Sequence, residues 1–81
     1  MVVRAEVFGA NDRITLAGIG MGGQGIQNIL RMQQLPEVQV VAVCDVYRPR
    51  MEEAAERCGG AQMYDEHEAL LADPRVHVVS I

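Results

Sequence analysis

The residues best suited to chemistry are a run of glycines at residues 18–25 and an acid, Asp45, further along the chain. The run holds five glycines in eight residues, between an apolar stretch at 14–17 and a helix-like segment at 26–35. Because glycine lacks a Cβ and adopts positive φ, such a run can turn sharply and present backbone N–H groups to an anion at the positive end of a helix. The pattern therefore predicts a dinucleotide-binding loop.

Two overlapping G-x-G-x-x-G patterns are present, one beginning at Gly18 and the other at Gly20. The first would shorten the preceding strand to four residues. The second leaves a strand over residues 14–19 and places Gly25 20 residues before Asp45, close to the separation expected between this loop and a ribose-binding carboxylate. We therefore predict the second pattern.

In this pattern Gly20 makes the tight turn, Gly22 admits the diphosphate and Gly25 lets the helix pack closely on the strand. Gly18 then lies inside the strand, where it relieves crowding. Backbone donors at the helix start complete the predicted loop. The candidate cofactor-binding residues are Gly20, Met21, Gly22, Gly23, Gln24, Gly25 and Asp45.

Asp45 follows an apolar, β-branched stretch at 38–44, which predicts a buried strand that ends at this carboxylate. A carboxylate there accepts hydrogen bonds from the adenosine ribose hydroxyls and repels a 2′-phosphate, so NAD is favoured. NADP is not excluded, since Arg48 or Arg50 could turn toward a 2′-phosphate or simply lie on the surface. The alternative for Asp45 is a solvated acid at a strand end, and for the loop a generic glycine-rich turn.

Composition restricts the function further. The chain has 81 residues, a net charge of −4 and seven basic residues, all of them arginines that are scattered along the sequence. This argues against a nucleic-acid partner, which requires a basic footprint. The absence of lysine excludes a Walker-type loop and lysine chemistry within these residues. No apolar run is long enough for a membrane span, so we expect no membrane partner and a soluble, cytoplasmic protein.

No group of side chains predicts a catalytic or metal site. Cys44 and Cys58 lack metal-ligand or redox spacing and are expected to be buried thiols. His67 and His77 have no partner at catalytic spacing and are expected on the surface. We therefore predict neither catalytic residues nor metal ligands in this chain.

The order of predicted elements gives the fold class. Residues 1–13 are expected to form an arm and a turn, and residues 14–81 a partial dinucleotide-binding domain with strands at 14–19, 38–44, 62–64 and 76–81. Helices lie between them, the second with Pro49 in its first turn and the third opened by an acidic capping box of Asp65 and Glu68. The alternation predicts an α/β, Rossmann-like three-layer parallel sheet in strand order 3-2-1-4. The last strand would be left at an unpaired edge, as in a fragment of a larger protein.

Four segments, at residues 9–14, 20–25, 40–45 and 70–76, together resemble the amino-terminal domain of the Gfo/Idh/MocA family, the glucose-fructose oxidoreductases and inositol dehydrogenases. The resemblance implies an NAD(P)-binding Rossmann domain, followed in the parent protein by a substrate domain that mediates oligomers. It also implies hydride transfer to or from a sugar or polyol hydroxyl. The family's Ala-Thr-Pro loop and Glu-Lys-Pro motif, with its catalytic lysine, are not present here, so we expect the chain alone to be inactive. The start at residues 9–14 also resembles members that are exported by the twin-arginine route, which makes export an option for the parent.

Two other functions remain open from the sequence. The same loop would serve a non-catalytic module that senses NAD(H). Residues 18–22 also fit the G-x-G-x-G of S-adenosylmethionine-dependent methyltransferases, but Leu16 stands where those enzymes usually have an acid.

Overall fold

The computed structural model describes residues 2–3 and 13–81, which form a single sheet with helices on both faces. The elements in chain order are β1 (Val2–Val3), β2 (Ile14–Ile19), α1 (Gln24–Gln33), β3 (Val38–Cys44), α2 (Arg48–Arg57), β4 (Gln62–Tyr64), α3 (His67–Leu71) and β5 (Val78–Ser80). No helix in the described part of the chain is long and apolar enough to cross a membrane.

The sheet has the order β1-β5-β2-β3-β4, and β2 to β5 are mutually parallel where they pair. Counting only the four predicted strands, this is the order 3-2-1-4, so the predicted Rossmann-like topology is confirmed. In the register, Ile19 lies opposite Cys44, and Cys44 lies opposite Tyr64. The carboxyl ends of β2, β3 and β4 therefore meet at one edge of the sheet, where open α/β sheets bind ligands.

The prediction of an unpaired last strand is wrong. β1 pairs with β5 in the antiparallel direction, with Val2 opposite Val79 and Val3 opposite Val78. The expected arm therefore contributes a strand, although its residues 4–12 lie outside the described part. A two-residue strand is too short to produce a periodic pattern, which explains why the sequence does not indicate it.

Apolar side chains alternate between the two faces of the sheet, as a strand covered on both sides requires. On one face Leu16 and Val40 pack with Ile29 of α1 and Met51 of α2. On the other face a second cluster forms under α3, from Ala17, Val41, Leu70, Val76 and Val79. The sheet therefore lies between α1 and α2 on one face and α3 on the other, which gives three layers. The two clusters hold the strand ends in fixed relative positions.

The helix limits differ from the expected ones at α1, which spans Gln24–Gln33 rather than residues 26–35, and at α3. Pro49 lies in the first turn of α2, as predicted. The proposed capping box at Asp65 and Glu68 is absent, because α3 begins at His67 after Glu66 and no side chain caps it. Asp65 instead directs its carboxylate to Arg48, 3.3 Å away.

Candidate functional site

A crevice of about 640 Å³ opens at the carboxyl ends of the parallel strands. Its floor is formed by Ile19 and Gly20 at the end of β2 and by Cys44 and Asp45 at the end of β3. The segment 65–68, which leads from β4 into α3, also lines the crevice. Of the predicted cofactor-binding residues, Gly20 and Asp45 therefore line the same cavity, while the rest of the loop, residues 21–25, lies outside its lining.

The glycine loop adopts the second of the two patterns. Gly20 has φ 79°, a conformation that favours glycine, and its N–H donates to the carbonyl of Cys44 at 2.9 Å. A Cβ on Gly25 would collide with the carbonyl oxygen of Gly20, so the first turn of α1 packs directly on the turn that ends β2. Gly18 lies in β2 against Met21 and Ile29, which leave no room for a side chain.

The loop also offers space for a ligand. A Cβ on Gly20 or Gly23 would meet no atom within 4 Å, which indicates open space rather than protein at these positions. At Gly22, the glycine predicted to admit the diphosphate, the space is instead occupied by the Arg50 guanidinium, whose Nη1 would lie 2.9 Å from a Cβ. α1 begins at Gln24, and within the described residues no side chain caps its first turn. The positive end of the helix is therefore available to an anion. The geometry of these residues fits a diphosphate.

Two of the predicted loop residues use their side chains elsewhere. Met21 is 1% exposed and packs in the core beside Ile29. The amide of Gln24 donates to Asn28 along the helix surface at 3.0 Å. These two residues therefore leave their backbone N–H groups, rather than their side chains, as the groups that could bind a ligand at the loop.

Asp45 is joined to the glycine loop directly. The N–H of Met21 donates to its Oδ2 at 2.7 Å, and the N–H of Tyr47 donates to its Oδ1 at 2.9 Å. Its side chain is 2% exposed. Burial alone raises the pKa of Asp45, but the hydrogen bonds from Tyr47 and Met21, together with Arg50, outweigh it and hold the pKa below its usual value. Asp45 is therefore an anion at neutral pH.

The two arginines that the sequence could not distinguish have different surroundings. Arg50 places Nη1 3.6 Å from Oδ1 of Asp45 and its guanidinium 5.3 Å from the centre of the Tyr47 ring. Arg48 instead pairs with Glu52 at 3.1 Å and with Asp65 at 3.3 Å. Only Arg50 belongs to the same charge cluster as Asp45.

Residues 65–68 and Val46 line the crevice but were not predicted from the sequence as part of the site. Val46 is 99% exposed at the edge of the crevice, directly after Asp45. His67 also lines the crevice, with Nε2 3.6 Å from Glu68. The one available signal was topological, because in a parallel sheet the loops after adjacent strands open on the same edge.

The remaining candidate residues lie as follows. Cys44 and Cys58 are buried free thiols, as predicted, and burial is the main cause that raises the pKa of each. Cys44 also lines the crevice. His77 is half-buried rather than on the surface, and its backbone N–H donates to the carbonyl of Thr15 at 3.0 Å.

A second buried carboxylate, Asp73, lies outside the crevice. It accepts hydrogen bonds from the hydroxyl of Tyr64 at 2.7 Å, from the guanidinium of Arg75 at 2.7 and 3.1 Å, and from the backbone N–H of Arg75 at 2.9 Å. The side-chain hydrogen bond from Arg75 is the largest cause that holds the pKa of Asp73 far below its usual value. The carbonyl of Arg75 in turn accepts from Thr15 in β2, which ties this cluster to the sheet.

Comparison with known proteins agrees with this geometry. The model of the GFO_IDH_MocA family, described as an oxidoreductase family with an NAD-binding Rossmann fold, matches residues 13–81. The chain belongs to this family. This membership confirms the resemblance found in the sequence and the predicted fold class. It also supports NAD as the cofactor, because the Gfo/Idh/MocA family is described as having an NAD-binding Rossmann fold. A search of curated proteins finds no match.

Several solved structures resemble this Gfo/Idh/MocA chain. Myo-inositol dehydrogenase from Lactobacillus casei, in complex with NAD(H) and myo-inositol, is 30% identical with a TM-score of 0.76 over 83% of the chain. GenD2 from gentamicin A biosynthesis, in complex with NAD, is 25% identical with a TM-score of 0.77 over 91%. An NAD-binding protein from Listeria innocua is 28% identical with a TM-score of 0.71 over 86%. The chain spans 20%, 22% and 21% of the length of these three structures.

Proposed function

We propose that this chain binds NAD in the crevice, with the diphosphate on the glycine loop and the adenosine ribose on Asp45. The observation that supports this most strongly is the 2.7 Å hydrogen bond from Met21 N–H to Asp45 Oδ2. It holds the loop and the acid next to each other across the ends of β2 and β3. A bound dinucleotide can place its diphosphate on the loop after the first of these strands and its adenosine ribose at the acid after the second.

Each proposed contact has a physical basis. Open space at Gly20 and Gly23 lets the diphosphate approach the backbone, and the uncapped start of α1 supplies the favourable field. Asp45 is held as an anion, so it is an acceptor for ribose hydroxyls. The proposed binding residues are those named from the sequence, with Met21 and Gln24 acting through their backbone.

We propose further that the whole protein transfers hydride to or from a sugar or polyol hydroxyl. The similarity to the Lactobacillus casei myo-inositol dehydrogenase supports this substrate class. When bound, the nicotinamide would supply the hydride donor or acceptor. The residues described here would bind and orient the cofactor, while the substrate domain, the catalytic residues and any oligomer contacts are expected in the rest of the protein.

Binding is tested by a pair of glycine variants. Gly20 and Gly60 both have positive φ, 79° and 88°, and both face open space, but only Gly20 lies on the crevice. A Cβ at either position adds strain of roughly 1–2 kcal/mol. Measured by isothermal titration calorimetry, Gly20→Ala is expected to lose about tenfold or more in NADH affinity, and Gly60→Ala less than twofold. Equal losses in the two variants, or no NADH binding by the unmodified chain, would refute the proposal.

Activity is tested separately. Incubating the chain with NADH or NAD and a panel of sugars and polyols is expected to give no change in absorbance at the nicotinamide band, because none of the proposed residues transfers a proton. Turnover that survives in the Gly20→Ala variant would show contamination. Turnover that disappears in that variant would contradict the assignment of catalysis to the rest of the protein.

A further inference from the structure

A second cavity opens at the amino-terminal edge of the sheet, at the other end of the strands from the crevice. Its volume is about 320 Å³, and among the described residues it shares no lining residue with the crevice. β3 runs from one to the other, with Val38 at this cavity and Cys44 at the crevice. The two are therefore roughly 20 Å apart, the length of a seven-residue strand. A small ligand in this cavity would not touch the proposed cofactor site.

The charged side chains that line this cavity are two arginines, Arg13 and Arg75, and none of its described lining residues is an acid. The two lie at the starts of neighbouring strands. Arg13 directly precedes β2, and the carbonyl of Arg75 accepts a hydrogen bond from Thr15 in that strand. The whole chain has a net charge of −4, so positive charge is concentrated here against the overall sign. The cavity therefore attracts anions.

The two guanidinium groups are prepared for a ligand in different ways. Asp73 holds Arg75 in place, because it accepts from Nε at 3.1 Å and from Nη2 at 2.7 Å. Nη1 then carries two further N–H donors on a group that is already fixed, and such a group loses little freedom when it binds an anion. Arg13 is exposed and forms no ion pair with any residue that the structure describes. Its charge is therefore not neutralised by those residues.

The carboxyl end of α2 borders the cavity at residues 58–60, and its negative dipole end would by itself oppose an anion. The last four carbonyls of this helix, at residues 54–57, all accept hydrogen bonds, however. Three of them accept from backbone N–H groups of residues 58–61, and that of Arg57 accepts from the side-chain amide of Gln33 at 3.0 Å. Because these carbonyls are satisfied within the protein, the arginines set the sign of the charge that a ligand meets.

Two neutral side chains of the cavity suit hydroxyl groups. Gln33 and Gln62 line it, and each donates its amide N–H to a carbonyl, that of Arg57 at 3.0 Å and that of Met63 at 3.2 Å. These bonds fix the orientation of both amides and leave the Oε1 atoms as acceptors. An acceptor suits a ligand hydroxyl and does not suit a phosphate oxygen. The cavity therefore combines donors for a phosphate with acceptors for hydroxyl groups.

We propose that this cavity binds a phosphate monoester of a small polyhydroxy compound, such as a sugar phosphate. The phosphate lies on Arg13 and Arg75, and the hydroxyl groups donate to the amide oxygens of Gln33 and Gln62. The volume is roughly ten times the share of one water molecule in the liquid, so it admits more than a phosphate alone. The inference is independent of the proposed cofactor function, because none of these residues lines the crevice.

The test is a titration of the isotope-labelled chain with glucose 6-phosphate, inorganic phosphate or glucose at millimolar concentrations and constant ionic strength, followed by the NMR shifts of backbone amides. Glucose 6-phosphate is expected to shift the amides of Gly59 and Gly60, which line the cavity, and not that of Gly20 in the crevice. It should bind about threefold or more tightly than inorganic phosphate, because only the ester has hydroxyl groups. Glucose, which lacks the phosphate, should produce no shift.

Three variants assign the binding to the cavity, with circular dichroism to check folding. Arg13→Gln should weaken glucose 6-phosphate binding about tenfold, because it removes a charged donor. Gln39→Glu, which places a negative charge in the lining, should weaken it at least as much. Arg31→Gln is the matched control. Arg31 is an exposed arginine in the last turn of α1 that does not line the cavity, so this change should alter the affinity less than twofold.

Three results would overturn the inference. The first is the absence of shifts at Gly59 and Gly60, or shifts at Gly20 in their place, which would assign the phosphate to the glycine loop. The second is an equal loss in Arg13→Gln and Arg31→Gln, which would indicate only a general attraction to positive charge. The third is equal affinity for glucose 6-phosphate and inorganic phosphate. The proposed cofactor function is judged separately, by the titration with NADH.

Discussion

Two buried aspartates in this chain have nearly the same chemical partners and different consequences. Asp45 and Asp73 each accept backbone N–H groups, each pairs with an arginine, and their side chains are 2% and 4% exposed. Asp73 makes short side-chain bonds, at 2.7 Å to both Tyr64 and Arg75. Asp45 takes its short bonds from the backbone and has only a longer contact, 3.6 Å, to Arg50.

The difference shows how a structural carboxylate differs from a binding one. Strong side-chain partners on both oxygens of Asp73 complete a closed cluster that fastens the loop before β5 to the sheet. At Asp45 the backbone supplies the fixed bonds, and the one side-chain partner is loosely held at the edge of an open crevice. A ligand can displace a loosely held arginine far more easily than an arginine that makes two side-chain hydrogen bonds to its carboxylate.

The largest expected effect concerns cofactor affinity. Asp45→Asn replaces the carboxylate that would accept hydrogen bonds from the ribose hydroxyls, and we expect NADH affinity to fall about 10- to 150-fold, given about 1.5–3 kcal/mol for hydrogen bonds to charged groups. Asp73→Asn should change NADH affinity less than twofold. Titration calorimetry measures both. If the two variants lose affinity equally, the distinction between the two aspartates is wrong.

The next effect concerns stability. Asp73 accepts four hydrogen bonds, one from Tyr64 and three from Arg75. In Asp73→Asn one acceptor oxygen is replaced by an NH₂ group, so some of these four donors lose their acceptor. We expect the free energy of unfolding to fall by about 2 kcal/mol. Urea denaturation followed by circular dichroism measures this loss. A change below about 0.5 kcal/mol would mean that the cluster around Asp73 contributes little.

A milder variant tests the same cluster through its neutral member. Tyr64→Phe removes one donor but keeps the charged pair of Asp73 and Arg75, so its loss of stability should be less than half that of Asp73→Asn. Denaturation under the same conditions provides the comparison. A loss as large as that of Asp73→Asn would show that the tyrosine ring, and not the carboxylate network, stabilises the loop.

The smallest effect appears only in acid. Both aspartates have a folded-state pKa below the value of about 3.9 expected in the unfolded chain. The stability that they contribute is therefore present above about pH 4 and is lost as the pH falls through the folded-state pKa. Because Asp73 has the larger shift, Asp73→Asn should flatten the acid limb of the stability curve more than Asp45→Asn does. The reverse order would contradict the comparison.

Much of the fold is readable from the sequence because it follows from local patterns. The strand order, the second glycine pattern and the position of Pro49 in the first turn of α2 all agree with the structure. The predictions are wrong where an element is too short to produce a pattern, or where one local pattern is compatible with more than one structure. β1 has two residues, and Asp65 matches a capping box by composition but forms an ion pair with Arg48 instead.

The sequence by itself determined that a glycine turn and an acid would follow neighbouring strands, because hydrophobic periodicity and glycine conformation act within a few residues. The tertiary structure alone decided that Arg50, and not Arg48, contacts Asp45, and that Asp73 closes on Tyr64 and Arg75. It also decided that residues 65–68 form a wall of the crevice. These contacts depend on how helices lie against a twisted sheet, and several alternatives share the same local pattern, so only packing selects among them.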